Sequence, residues 1–372
     1  MDETGGMKAL RTPASADLAL TGRCNLRCAY CFYADEMNWR SDLSTAGWLR
    51  IVGVLRSLSV MRVCLTGGEV FTRPDLFEII DAVLGAGMRY TILTNGTLVD
   101  EAAIRALDAG RRRLRMDSIQ VSIDGPDAPV HDSMRPDSFD RAVRGTRLLK
   151  EAGFPVNARM TLSRSNLGSI ERTASFILGD LGLDWFSTNE SFRMGAGCDG
   201  GGGGLSNAER LEAMRVFERL SSVWPGRIRS QAGPQAKMLA YSQMERARAT
   251  GEKPRSWVMG SLTGCGCVFD RTGIMHDGTI VPCHVLHRLA LGNALTDSMA
   301  DIWRSHPVLT ALRERRRKPM SSLPGCSACE WAPYCNGSCP GIALEETGSF
   351  DMPNPEDCYA RFVSETGVRI AF

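Results

Sequence analysis

Between Asp17 and Glu190 the chain alternates six short apolar runs with five amphipathic stretches. The apolar runs fall at 17–21, 61–67, 89–95, 118–124, 156–162 and 184–190. Between them lie TAGWLRIVGVLRSL, DLFEIIDAVLGA, DEAAIRALDA, FDRAVRGTRLLKEA and GSIERTASFILGDL, each with helical spacing of its apolar residues. Ser44 is placed to cap the first of these helices. Strands that alternate with helices must run parallel, because each helix carries the chain back to the starting edge. The alternation is never interrupted, so the expected fold is α/β, a partial (β/α)6 TIM-like barrel rather than a sheet wound on two faces.

In such a barrel the segments that follow the strands gather at one end, where sites are built. Here these segments are CNLRCAYC after the first strand, Thr66–Glu69 (TGGE) after the second, Asn95-Gly96 after the third and Ser122–Gly125 (SIDG) at the fourth. Any one of the last three, taken alone, reads as an ordinary turn. Together, at one end and beside three cysteines, they read as a site.

The chain has 372 residues, thirteen of them cysteine, and a formal net charge of +2. This charge makes no electrostatic case for nucleic acid or an anionic membrane. No run is long enough for a membrane span, and the polar N-terminus has no apolar signal segment, so a cytoplasmic protein is expected. A reducing compartment argues against disulfides and turns the cysteines toward metal or redox chemistry. Cys24, Cys28 and Cys31 are spaced C-x3-C-x2-C. Eight more lie between Cys265 and Cys358, leaving Cys64, in an apolar setting that suits a buried structural thiol, and Cys198 apart. A closed structural site uses four ligands, whereas three thiolates leave one iron of a [4Fe–4S] cluster open to another ligand. The rival for the triplet is zinc, but no neighbouring His or fourth Cys completes a tetrahedral set.

C-x3-C-x-Tyr-C directly after a first strand, with GGE after the second, resembles radical S-adenosylmethionine (SAM) enzymes. The resemblance implies that Cys24, Cys28 and Cys31 hold a [4Fe–4S] cluster whose open iron takes SAM. Reductive cleavage of SAM then yields a 5′-deoxyadenosyl radical that abstracts hydrogen from a substrate. It further implies that Tyr30 packs near the adenine and that Gly67, Gly68 and Glu69 hold the SAM ammonium. Ser122 and Arg135 would lie near the ribose and carboxylate, with Asn95 and Asp124 also lining the site.

Cys267, ten residues, Gly278, four residues and Cys283, then C-x2-C-x5-C-x3-C at Cys326, Cys329, Cys335 and Cys339, and a final Cys358, resemble the SPASM extension of radical SAM maturases. Two further [4Fe–4S] clusters are implied, the first on Cys265, Cys267, Cys283 and Cys339, the second on Cys326, Cys329, Cys335 and Cys358. The C-x-C pair at Cys265 and Cys267 is tighter than the pattern and leaves open whether both bind. A pair of structural zinc sites is the alternative. The resemblance spans about Ala16 to Phe362. It implies a flexible N-terminus (1–15), a radical SAM barrel (16–200), bridging helices (201–255), a SPASM domain (256–362) and a C-terminal tail (363–372).

The five glycines at 200–204 read as a flexible loop, and the basic run Arg313–Lys318 as a solvated helix face or, alternatively, a docking patch. The resemblance implies an oxidoreductase that modifies a peptide or protein, as in the maturation of ribosomally made peptides: by a crosslink, dehydrogenation, decarboxylation or backbone excision. Sulfatase maturases of this group carry Asp after the second cysteine of the extension, where this chain has His284. His284 is therefore a candidate general base, or else only a hydrogen-bonding neighbour of the cluster. The sulfatase (formylglycine) reaction, dehydrogenation of a small molecule, and an iron–sulfur electron carrier with no substrate are the alternatives. Few residues precede the first strand, so a separate leader-binding protein is a candidate partner beside an external reductant such as flavodoxin or ferredoxin.

Overall fold

A computed structural model describes residues 9–37, 40–198, 204–253, 258–263 and 265–370. The expected flexible N-terminus up to residue 8, glycines 200–203 and the boundary region 254–257 lie outside the described residues. Nine strands form one sheet: β1 (Ser15–Thr21), β2 (Arg62–Gly67), β3 (Arg89–Thr94), β4 (Met116–Ser122), β5 (Val156–Leu162), β6 (Phe186–Glu190), β7 (Arg271–Ile274), β8 (Thr279–Val281) and β9 (Gly292–Asn293). Their order is β6-β5-β4-β3-β2-β1-β7-β8-β9. The first six strands are parallel and lie side by side in chain order, as expected of a partial (β/α)6 barrel left open.

Local chemistry accounts for the elements. Ser44 accepts from Gly47 N–H at the head of helix Thr45–Ser57, and Asp100 accepts from Ala103 N–H at the head of Glu101–Asp108. Leu18, Leu65, Ile92 and Ile119 alternate outward from β1 to β4 and pack under Trp48, Ile51 and Ile79 of the covering helices, all fully buried. Residues on the other face of the strands, Leu93 apart, are polar or small, which leaves that face free to line a site.

The strands β7 to β9 were not visible in the sequence, since they have only four, three and two residues. β7 pairs parallel with β1, Ser15 to Leu18 against Arg271 to Ile274, and β8 and β9 follow antiparallel. The cysteine-rich region thus begins as a continuation of the barrel sheet. Residues 10–14 also pair with it: Leu10 and Ala14 donate their N–H groups to Phe269 and Asp270 carbonyls at 2.9 and 2.8 Å.

Helices Asn207–Val223 and Gly233–Thr250 pack together. Between them, Arg227 and Arg229 exchange backbone hydrogen bonds with Phe186 at 3.0 Å and cover the free edge of β6. Residue 363, where a tail was expected, lies inside helix Tyr359–Thr366, and Ile370 beyond it is buried. The basic run is a solvated face only in part, at Arg317 and Lys318. Arg315 is fully buried, and Arg313 donates to the carbonyls of Val268 and Trp303 at 2.9 and 2.6 Å. Its guanidinium lies over the Trp303 ring, 4.4 Å from the centroid, so this part of the run is tied into the fold by stacking and backbone bonds.

Candidate active site

The three-cysteine loop leaves β1 at Thr21 and is anchored at once. Asp42 accepts from the Thr21 hydroxyl at 2.6 Å and from Gly22 N–H at 2.7 Å. The end of β2 docks directly on this loop: Gly68 N–H donates to Thr21 O and Glu69 N–H to Arg23 O, both at 2.8 Å. A Cβ on Gly68 would lie 2.1 Å from Arg23 O, and Gly67 has φ +125° with its Cβ position 2.5 Å from Thr21 O. Only glycine permits both the conformation and the approach.

Glu69 is 1% exposed. Its carboxylate accepts from the Thr94 hydroxyl at 2.7 Å, Asn95 N–H at 2.7 Å and Phe71 N–H at 3.2 Å. Burial raises its pKa, against the lowering effect of these three donors and of Arg135. Asn95 in turn donates to Asn25, and Asn25 to Thr97, which links the third strand's turn to the cysteine loop.

Asp124 is completely buried beyond β4. It accepts from Tyr30 Oη at 2.5 Å, Arg135 Nε at 2.6 Å and Thr161 N–H at 2.7 Å. Arg135 lies over the Tyr30 ring, 5.3 Å from its centroid, and its Nη1 reaches Cys28 Sγ at 3.6 Å. His131 accepts Asp124 N–H on Nδ1 at 3.2 Å, which leaves its Nε2–H for Ser138 Oγ at 3.1 Å. Ser122, on β4, makes no side-chain hydrogen bond among the described residues and stands on the open face of the sheet. Asn25, Thr94, Thr97, His131, Thr161 and Asn166 escaped the sequence reading. Short polar residues after strands look like turn formers, and only their positions in space mark them as supports.

The thiols of Cys24, Cys28 and Cys31 are all raised by burial, Cys31 to about 11. Buried thiols of this kind become thiolates when a cationic centre replaces their protons. In the C-terminal third, Cys267 shares thiol hydrogen bonds with Cys265 and Cys283, and Cys339 interacts electrostatically with Cys283 and Cys265. Within this group the pKa values of Cys265 and Cys283 are lowered, because Cys267 shares hydrogen bonds with both. Cys326, Cys329, Cys335 and Cys358 interact with one another in the same way. Among the described residues no three of these groups close to the spacing of a single bound ion. The two foursomes are all-sulfur donor sets, which suit iron–sulfur clusters. Cys198 is exposed, and Cys64 faces the open side of the sheet rather than the apolar core.

His284 follows Cys283 in a tight turn, with its imidazole against Gly273, where a Cβ would lie 3.0 Å from its Cδ2. Its Nε2 is enclosed without a partner among the described residues, and burial lowers its pKa. Two more histidines missed in the sequence are enclosed nearby in the chain: His276, which meets Tyr33 Oη at 2.7 Å, and His287.

Comparison with known proteins agrees with this geometry. The model of the radical SAM superfamily matches residues 18–177, and that of the SPASM iron–sulfur cluster-binding domain matches 265–330. AdoMet-dependent heme synthase of Methanosarcina barkeri is 29% identical, over 91% of this chain and 95% of that protein. Mycofactocin maturase MftC of Mycobacterium ulcerans is 26% identical, over 93% and 88%. The crystal structure of Streptococcus suis SuiB bound to precursor peptide SuiA superposes with a TM-score of 0.73 at 17% identity, covering 94% of this chain and 76% of that one, which is a likeness of fold. With both matched segments in place, the chain is a member of the radical SAM superfamily with a SPASM domain, and its cofactors are SAM, the [4Fe–4S] cluster that binds it and auxiliary iron–sulfur clusters.

Proposed function

We propose that the protein is an oxidoreductase of the cytoplasm that matures a ribosomally made peptide. The observation that carries this reading is the convergence of the cysteine loop, Glu69, Asp124 and Arg135 at the mouth of an open barrel whose inner face is polar. Its similarity to a mycofactocin maturase and to a fold solved with a precursor peptide supports a peptide substrate. When bound, the cluster and SAM supply a 5′-deoxyadenosyl radical that takes hydrogen from the substrate.

Cys24, Cys28 and Cys31 would hold the SAM cluster. Glu69, already fixed by three donors, offers a carboxylate to an ammonium group, and that pairing offsets the burial that raises its pKa. Asp124 holds Arg135 in place, leaving Nη1 for an anionic neighbour such as Cys28 thiolate or a carboxylate. Tyr30, tied at its hydroxyl, presents a ring face that suits adenine. Gly195 and Ala196 close against Cys31, Ala196 N–H donating to its carbonyl at 3.0 Å, and help keep water from the loop. We assign Cys265, Cys267, Cys283 and Cys339 to one auxiliary cluster and Cys326, Cys329, Cys335 and Cys358 to the other. Burial lowers the pKa of His284, which favours the neutral form a proton acceptor needs. A small reductant, flavodoxin or ferredoxin, and a leader-binding protein are the proposed partners.

Anaerobic co-expression with the short reading frames beside the gene, followed by mass spectrometry of each peptide, tests the reading. A peptide lighter by two hydrogens identifies a crosslink or dehydrogenation, and a larger loss identifies decarboxylation or excision. A small-molecule substrate is the second reading, supported by the identity to a heme synthase. Unchanged peptides, with a tetrapyrrole altered instead, would establish it.

A further inference from the structure

The inner face of the sheet holds polar atoms that the SAM site does not use. Arg159 lies in the middle of β5, between Ala158 and Met160, whose side chains are fully buried on the helix-covered face. Alternation puts Arg159 on the opposite face. Its strand neighbours there are Ser122 of β4 and Ser187 of β6. The groups that act on it electrostatically are Tyr30 and Asp124 at the mouth and Cys64 on β2. Cys64 is on the non-core face of β2 and Asp124 lies just beyond β4, so Arg159 shares the side of the sheet on which the cysteine loop and Asp124 stand. Arg159 therefore sits inside the barrel.

It has no hydrogen bond or ion pair among the described residues. Two neighbours on the same face share that condition: Asn157 Oδ1 and Ser187 Oγ are enclosed without partners, in residues 1% and 8% exposed. A guanidinium carries only donors, and buried polar groups left unpaired are costly. Two enclosed orphan atoms beside an unpaired, half-buried guanidinium mark a place kept for a polar ligand. Arg159 and Ser187 donate, which suits a carboxylate; Asn157 Oδ1 accepts, which suits an amide N–H beside it.

We propose that Arg159, with Ser187 and Asn157, forms a lumen subsite for a substrate carboxylate, the side chain of an aspartate or glutamate in the peptide. The carboxylate of SAM is the other source of this chemistry. It already has Arg135, paired with Asp124 and directed at the cysteine loop, whereas Arg159 makes no bond to that loop and has Ser187 of β6 as its strand neighbour. The subsite rests on the peptide-maturase reading for the nature of its ligand.

The test uses the cluster-reconstituted protein with SAM bound. Two probes, N-acetyl-aspartate N-methylamide and its asparagine counterpart, are titrated by ligand-observed NMR, and SAM affinity is measured by equilibrium dialysis. The wild type is expected to favour the aspartate probe by about tenfold, the worth of a charge-assisted bond. Arg159→Gln should erase that preference and change SAM affinity by no more than about twofold, while Arg159→Lys should keep part of the preference. Equal binding of both probes by the wild type overturns the proposal. So does a loss of about tenfold or more in SAM affinity in Arg159→Gln, which would assign the guanidinium to SAM. If Arg159→Gln fails to hold its clusters, Ser187→Ala takes its place and should weaken the aspartate probe alone. Formation of 5′-deoxyadenosine under dithionite is followed in parallel. Its absence from the wild type would sink the catalytic reading and leave the probe preference to be judged separately.

Discussion

His131 shows how a single buried residue gives the site a pH dependence. Its Nδ1 must stay unprotonated to accept Asp124 N–H, and burial lowers its pKa to about 4. Above its ordinary value of about 6.5 it is neutral in folded and unfolded chains alike, so it adds no pH dependence there. As pH falls below that value the unfolded chain gains a proton that the folded chain refuses until near 4. Stability should therefore be lost across this window, by up to about 3 kcal/mol. Urea midpoints at pH 7.5 and 5.5 should differ less for His131→Gln than for the wild type; an equal drop in both would remove His131 from the explanation. The two glycines of TGGE allow a sharper contrast. Gly68→Ala places a Cβ 2.1 Å from Arg23 O, whereas nothing lies within 4 Å of a Cβ at Gly85. Gly68→Ala should cost roughly 1–3 kcal/mol and weaken SAM binding. Gly85→Ala should be neutral or stabilise by about 0.5–1 kcal/mol in thermal melts.

Among elements, the junction between barrel and cysteine-rich region is held by a buried ion network. Lys237, on helix Gly233–Thr250, pairs with Glu190 at the end of β6 at 2.9 Å and with Asp357 at 2.8 Å. Arg210, on helix Asn207–Val223, joins Glu190 to Glu356. Asp357 precedes Cys358, so the network bears on the second foursome of cysteines. Removing the ammonium in Lys237→Met leaves two carboxylates facing each other and should cost about 3–5 kcal/mol. Differential scanning calorimetry would check the cost, and trypsin should release the region after helix Gly233–Thr250 faster than in the wild type. Unchanged cleavage would mean that the Tyr241–Tyr359 stack and its neighbours suffice. Of these elements, the six barrel strands and their helices were legible, since each is long enough to show its period. β7 to β9 were not, because two to four residues carry no period and are strands only by virtue of pairing on β1.

At the scale of the molecule, the eleven clustered cysteines divide, on the assignment proposed above, into one set of three and two sets of four. This division predicts separable defects. Cys28→Ala should abolish formation of 5′-deoxyadenosine. Cys326→Ala should lower iron and sulfide content and block product while leaving 5′-deoxyadenosine formation largely intact. If both variants lost SAM cleavage equally, the second foursome would be needed to hold the barrel itself.

What the amino-acid sequence determined alone was whatever depends on neighbours along the chain: the alternation of strands and helices, the Ser44 cap, the glycines needed after β2 and the cysteine spacing. Those features arise from backbone sterics and periodicity within a few residues. Tertiary structure decided whatever depends on distant partners. It brought Cys339 to Cys265, buried Arg315 in a run that reads as solvated, and set Asp124 between Tyr30, Arg135 and Thr161. It also put Arg159 on the same side of the sheet as Asp124 and the cysteine loop. The reason is physical: burial, ion pairing and the strength of a charge are set by what surrounds a group in space, and the sheet's curvature brings together residues more than ninety positions apart in the chain.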